Sequence, residues 1–318
     1  MGYALRTLTL AMAALLAVAS CTEKEPGIIK DDRSDSKVCL KINDVATAEH
    51  TKSAVKGTSF PTDEDVTIGI FVRETEGTGS FGYIEYNWPY ENIKCTRAAG
   101  QTEWVMSEDI ELDETSVVVY AYYPWKEGAT SDHVNVYPSV NGDDWMWATP
   151  IENVSSANPD ISLIMNHALA LVELTFNVSN YSNGTEMTNL SVSSTGAARY
   201  SGFNFKTGSH FPNGQMTEGN ALSADINLPL KDGVIKADCL LVPATIGSNA
   251  GMRQPMTISC TLGGRTYTAN LSGTNGVIIK QGAKSTVSLN IKGSTMEVAS
   301  VGIGEWDSSS EPISEIIE

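Results

Sequence analysis

The side chains able to do chemistry in this chain are few and scattered. Its 318 residues include four histidines, His50, His133, His167 and His210, and none lies in an HExxH pair or beside a serine or cysteine nucleophile motif. No GxSxG, P-loop or dinucleotide fingerprint is present. An enzyme needs clustered groups with tunable pKa, so no catalytic residue and no cofactor is expected. His167 directly precedes a strand pattern and reads as structural. Asp63-Glu64-Asp65 and Asp143-Asp144 carry oxygen ligands of the kind calcium takes, but neither follows the spacing of a twelve-residue calcium loop. Both read as solvated acidic turns, and no metal is expected. Trp145-Met146-Trp147, with Trp125 and Trp88-Pro89-Tyr90 in the same half, reads as aromatics on exposed loops. Indole faces stack on the apolar faces of sugars, which makes Trp145 and Trp147 the candidate ligand aromatics. The competing expectation is that they belong to a core.

Five cysteines complete the inventory. Cys39, Cys95, Cys239 and Cys260 allow three full pairings, and none sits in a CxxC. Cys239 alternates with Leu241, and Cys260 with Met256, Ile258 and Leu262, so both read as core residues. Four free, buried thiols are the expectation, with Cys239–Cys260 as the best pair if a bridge forms. Cys21 has a different setting. Arg6 supplies a short positive region, Thr7 to Ala19 is uncharged and rich in Leu, Ala and Met, and Val18-Ala19-Ser20 places small residues before the thiol. The apolar run is too short to span a membrane and suits a signal peptide. This segment resembles the bacterial lipobox. The resemblance implies cleavage before Cys21, a diacylglycerol thioether on its sulfur and an acyl group on the new amine. Two or three acyl chains, at about 0.8 kcal/mol per buried CH₂, hold a protein firmly on a membrane. Residues 1–20 are then the signal peptide and 21–36, polar and charged, a flexible tether. Glu23-Lys24-Glu25 resembles the acidic signal that sends some lipoproteins to the outer face of the outer membrane.

The elements that must carry these residues read as strands. Val38, Leu40 and Ile42 share one face of a first strand, and Val66, Ile68, Ile70 and Val72 share one face of a second. Residues 117–123 (VVVYAYY) are apolar on both faces and stop at Pro124, which predicts a buried central strand. A long alternation runs from Ala168 to Val178. Shorter ones follow through Ile226/Leu228/Leu230, Leu240/Val242, Met256 to Leu262, Tyr267 to Leu271 and Val287 to Ile291, punctuated by Asp232-Gly233, Gly263-Gly264, Asn275-Gly276 and Gln281-Gly282. No stretch beyond the signal peptide keeps a 3.6-residue apolar period. The class is all-β, mostly antiparallel, as a sandwich or pair of sandwiches. Hydrophobic residues make up 41%, enough for packed cores, and the length left after residue 20 suits two lobes of roughly 100–150 residues. The expected division is 37–160 and 161–318, with the boundary in the Asn- and Ser-rich piece IENVSSANPD or just after the following strand. A net charge of −17 argues against a nucleic-acid partner.

Five landmarks in order resemble the fimbrillin family, the type V pilins with their anchor and tip relatives. They are the lipobox followed by VCLKI; TKSAVKGTSFPTDEDVTIGIFV; VYAYYPW; LIMNHALALVELTF; and KQGAKSTVSLNIKGSTMEVASVGIGEW. The resemblance implies two β-sandwich lobes of Greek-key, transthyretin-like type and export as a lipoprotein. It also implies a protease step at a basic residue that removes the first strand. The matching site is Lys52, with Lys56 and Arg33 as alternatives; the family often has Arg at this position. Removing the strand bearing Val38, Leu40 and Ile42 leaves an unpaired edge and an apolar groove, which a strand from another subunit can fill. The expected function is a fimbrial stalk, anchor or tip subunit supporting cell adhesion. Its expected partners are other fimbrillin-like subunits, the outer membrane through lipid, and a glycan or protein on a host or bacterial surface. The tail DSSSEPISEIIE is either a donor extension or a disordered end. The alternative is a monomeric glycan-binding surface lipoprotein.

Overall fold

The structure, a computed structural model of the chain, describes residues 37–47, 60–75, 77–78, 85–130, 133–211, 220–244 and 251–306. Cys21, the tether, Arg33, His50, Lys52, Lys56 and the tail after Trp306 lie outside the described residues. Apart from a single 3₁₀ turn at Gly273–Asn275, all regular structure described is β-strand.

The central strand is where the sequence places it. In Val117–Tyr123 the first six residues are buried. Val117, Val119 and Ala121 enter one core, and Val118, Tyr120 and Tyr122 enter another. Around it runs an eight-stranded sheet in the order Lys41–Thr47, Asp160–His167, Met146–Ala148, Val117–Tyr123, Val66–Glu74, Tyr90–Arg97 and Val105–Met106, with Ile151–Val154 also paired to the central strand. One face of this sheet is covered by Leu40, Phe60, Trp104, Ile110 and Leu112. Val38–Cys39 and Glu111–Leu112 form a short antiparallel ribbon beside it.

The second sandwich packs a six-stranded sheet on a four-stranded one. The six-stranded sheet runs Ser139–Val140, Val234–Pro243, Ala170–Val178, Ala283–Lys292 and Thr295–Glu305, with Ala197–Ala198 beside Val234–Pro243. The four-stranded sheet runs Asn220–Pro229, Glu186–Ser193, Met256–Leu262 and Arg265–Leu271. Val172, Leu174 and Phe176 meet Leu190, Ile258 and Leu262 in the core between them. Most pairings are antiparallel. The exceptions among the described strands are Ala170–Val178 with Ala283–Lys292, and Lys41–Thr47 with Asp160–His167.

A third core joins the two systems. Phe71, Tyr120 and Tyr122 from the eight-stranded sheet, Leu171, Leu240 and Val242 from the six-stranded sheet, and Phe203 and Phe205 from the hairpin Ser201–Asn204/Ser209–Phe211 are buried together. The chain passes from one large sheet to the other at Ala168 and Leu169. Asp160–His167 hydrogen-bonds into the first sheet, and Ala170–Val178 into the six-stranded one.

Cys39, Cys95, Cys239 and Cys260 are free thiols, and the Cys239–Cys260 bridge does not form. Cys239 belongs to the six-stranded sheet and Cys260 to the four-stranded sheet. Packed sheets lie about 10 Å apart, beyond the roughly 7 Å between Cα atoms that a disulfide spans. Burial pushes the Cys95 and Cys260 thiols up to about 12 and raises that of Cys239 as well, which keeps them protonated and inert.

Candidate functional site

The first strand is longer than its alternation suggests, and it changes partners. Val38 pairs with Leu112 antiparallel, and the Leu40 N–H donates to the Ile110 carbonyl at 2.9 Å. From Lys41 the chain runs parallel to Asp160–His167, with Ile42 opposite Ile161, Val45 opposite Leu163 and Thr47 opposite Met165. A register shift between Ile161 and Ser162 accommodates one extra residue in the first strand. The buried set is therefore Leu40, Ile42, Val45 and Thr47, while Val38 is half-buried. This segment occupies the edge of the eight-stranded sheet, with Asp160–His167 as its one neighbour there. Ile161, Leu163 and Met165 lie in the same core as Leu40, Ile42 and Val45, beside them on the buried face of the sheet.

The tryptophans are not the exposed platforms expected from sequence. Trp145 is 9% exposed and belongs to the core joining the sheets. Trp147 is half-buried, with its indole 6.5 Å centroid to centroid from Phe203. It lies so close over Gly208 that a Cβ there would sit 2.0 Å from the ring. Gly208 has a φ of +65°, so glycine serves both the turn and the close approach. Asp144, expected to be solvated, is fully buried beside His167 Nδ1. The His167 imidazole stacks flat on Trp306, centroids 3.8 Å apart. Asp144, His167 and Trp306 thus tie the Met146–Ala148 and Asp160–His167 strands to the end of the last described strand. His167 is 4% exposed, with the Asp144 carboxylate and the Trp306 ring against its imidazole. Asp63, Glu64 and Asp65 are exposed, and the Asp65 carboxylate accepts the Ala99 N–H at 2.8 Å. No group of three or more His, Cys, Asp or Glu able to hold a metal occurs among the described residues.

One surface concavity of about 390 Å³ draws on residues that no motif marked, among them Lys126, His133 and Tyr137, together with Trp145. Tyr137 is 57% exposed. The available signal was its outward position in the alternation Val134/Val136, with those two valines buried and Asn135 exposed.

The fold and its edge strand narrow the identity, and the comparison with protein families decides it. The description "Fimbrillin-like" matches residues 37–306. The chain belongs to the fimbrillin-like family. As a fimbrillin-like protein it is a non-enzymatic fimbrial protein of the cell surface, and membership implies assembly with other fimbrial subunits. No curated protein matches the sequence. Among solved structures, the fimbrillin-like chain is similar to a candidate cell adhesion protein from Bacteroides ovatus, with a TM-score of 0.60 at 15% identity, covering 86% of this chain and 100% of that one. It is also similar to a candidate cell adhesion protein from Bacteroides uniformis, with a TM-score of 0.55 at 19% identity, covering 86% and 99%. At these identities the likeness shows that the fimbrillin-like chain shares their fold.

Proposed function

We propose that this protein is a lipid-exported subunit of a surface fimbrium whose first strand is exchangeable. The observation that carries the reading is the position of residues 38–47: first among the described strands, at a sheet edge, with its apolar side chains in a shared core. Leu40, Ile42 and Val45 are each buried to 8% exposure or less, and burying such side chains stabilises by about 1.5–3 kcal/mol apiece. A groove that loses them must be refilled. Lys41–Thr47 pairs in parallel, the slightly weaker ladder. An incoming strand that runs antiparallel to Asp160–Met165 therefore gains in backbone pairing while replacing the apolar side chains one for one.

Lys52 and Lys56 lie in sequence between Thr47 and Phe60, so a trypsin-like cut at either residue separates the edge strand from the rest of the fold. Upstream, Cys21 carries the lipid that holds the exported chain on the outer membrane. Before the cut the subunit is anchored; after it the anchor leaves with the strand. A stalk subunit is cut and both accepts and donates a strand, whereas a basal anchor keeps Cys21. Adhesion to a cell surface is the role of the assembled fimbrium.

The test is the N-terminal residue and mass of the protein recovered from cells, with and without treatment by an arginine- or lysine-specific protease. A start after Lys52 or Lys56, together with a ladder of detergent-resistant multimers, is the expected result for a polymerised subunit. Acylated Cys21 on every molecule, with no strand uptake after cleavage, would rule out strand exchange. Cys21→Ala should release the uncleaved protein from the membrane fraction.

A further inference from the structure

We propose that the cleft between Lys126 and Tyr137 is a binding site for a neutral saccharide. Its volume of about 390 Å³ lies in the range of roughly 300–1,000 Å³ typical of small-ligand sites. Lys126, Glu127, His133, Asn135 and Tyr137 line it, together with the largely buried Trp145. A pyranose presents an apolar C–H face and a rim of hydroxyls. It therefore needs an aromatic surface encircled by donors and acceptors, and this cleft offers both.

Both walls are held by the fold before any ligand arrives. On one side the Lys126 carbonyl accepts from Asn92 Nδ2 at 2.9 Å, and the Lys126 N–H donates to the Tyr122 hydroxyl at 3.0 Å. On the other side Val134–Val136 pairs with Ser201–Asn204. Side chains carried on fixed backbone lose little freedom on binding. The Tyr137 ring lies 6.0 Å from that of Tyr200 at 30°. More than half of Tyr137 faces water, so its large apolar ring is available to stack.

Charge sets the class of sugar. Lys126 Nζ stands 5.8 Å from the Trp145 ring centroid and 3.6 Å from an Asp143 oxygen. With Glu127 at the rim, and a molecule of net charge −17, the cleft offers an acidic ligand no surplus of positive charge. Neutral hexoses and N-acetylhexosamines fit it better than sulfated or uronic saccharides. The proposal does not depend on strand exchange, because the cleft lies away from the strand at 38–47.

The experiment is an array of neutral, uronic and sulfated oligosaccharides probed with the full chain, followed by titration with the best neutral hit. Tyr137→Ala and Asn135→Ala change exposed residues, and an unchanged melting temperature and far-UV circular dichroism check that each variant is folded. The expected result is retention on neutral glycans, at least about tenfold weaker binding in each variant, and no change in Met252→Ala, another exposed apolar position. An empty array, binding confined to acidic glycans, or equal affinity in Tyr137→Ala and Asn135→Ala would overturn the proposal.

Discussion

Single residues set tolerances that their types alone do not announce. Gly69 lies opposite Tyr122 in the ladder, and a Cβ at position 69 would come within 2.0 Å of the tyrosine ring. That ring is fully buried, and its hydroxyl donates to Asn92 Oδ1 at 2.7 Å, so it has nowhere to move. Gly69→Ala should therefore cost about 1–3 kcal/mol by overpacking, read as a lower urea midpoint with an unchanged slope. Trp306 is fully buried against His167, and Trp306→Ala should cost about 3–5 kcal/mol, with Trp306→Phe recovering part of the loss. His210 adds a pH dependence. Burial holds its pKa below the ordinary value, only partly offset by its hydrogen bond to the Ala168 carbonyl. The unfolded chain thus binds more protons than the folded one as pH falls through the usual histidine range. This contribution to stability is complete above that range and is lost as the pH drops through it. Melting curves at pH 7.5 and 5.5 should converge in His210→Gln, which keeps a donor for Ala168 and does not titrate. Asp238, whose carboxyl burial raises, works in the opposite sense within the lower carboxylate range.

At the scale of elements, the edge strand gives the sharpest test. A chain starting after Lys52 lacks Leu40, Ile42 and Val45, and exposes Ile161, Leu163 and Met165. It should bind an apolar dye such as ANS and melt at a lower temperature. A synthetic peptide of residues 37–47, added in trans, should reverse both effects; if the peptide leaves dye binding unchanged, the edge is not exchangeable. The same strand shows what was legible in the sequence. Strict alternation exposed Val66–Glu74, Ala170–Val178 and Met256–Leu262, because each keeps one face buried without interruption, and an unbroken apolar run ending at Pro124 exposed Val117–Tyr123. Lys41–Thr47 escaped after Ile42 because an extra residue at Asn43-Asp44 moves the buried set from even to odd positions. Glu186–Ser193 escaped for the same reason, with a register shift between Met187 and Asn189. Tyr90–Arg97 was hidden by chemistry instead. Its inward residues are Ile93, Cys95 and Arg97, and the arginine is buried only because its guanidinium donates to the Pro61 carbonyl and stacks over Trp104. The cleft was legible least of all, since its residues become neighbours only through tertiary pairing.

At the scale of the molecule, the core between the sheets decides how the protein unfolds. Val117–Tyr123 gives one face to the first core and the other to the shared core, and Ala170–Val178 and Val234–Pro243 divide their faces in the same way at one end. Losing the shared core would leave the central strands of both sheets half-exposed, an open arrangement that neither sheet could sustain alone. Phe205 is the clearest joint. It stacks on Phe71 at 4.8 Å and on Tyr122 at 5.4 Å, while its own hairpin pairs with Val134–Val136. Calorimetry on the full chain should show one cooperative transition, and tryptophan fluorescence should change together with far-UV circular dichroism. Phe205→Ala should lower that transition by about 3–5 kcal/mol and, because it loosens the joint rather than either sandwich, should separate the two signals in temperature. Two resolved transitions in the unmodified protein would show that the sandwiches unfold independently.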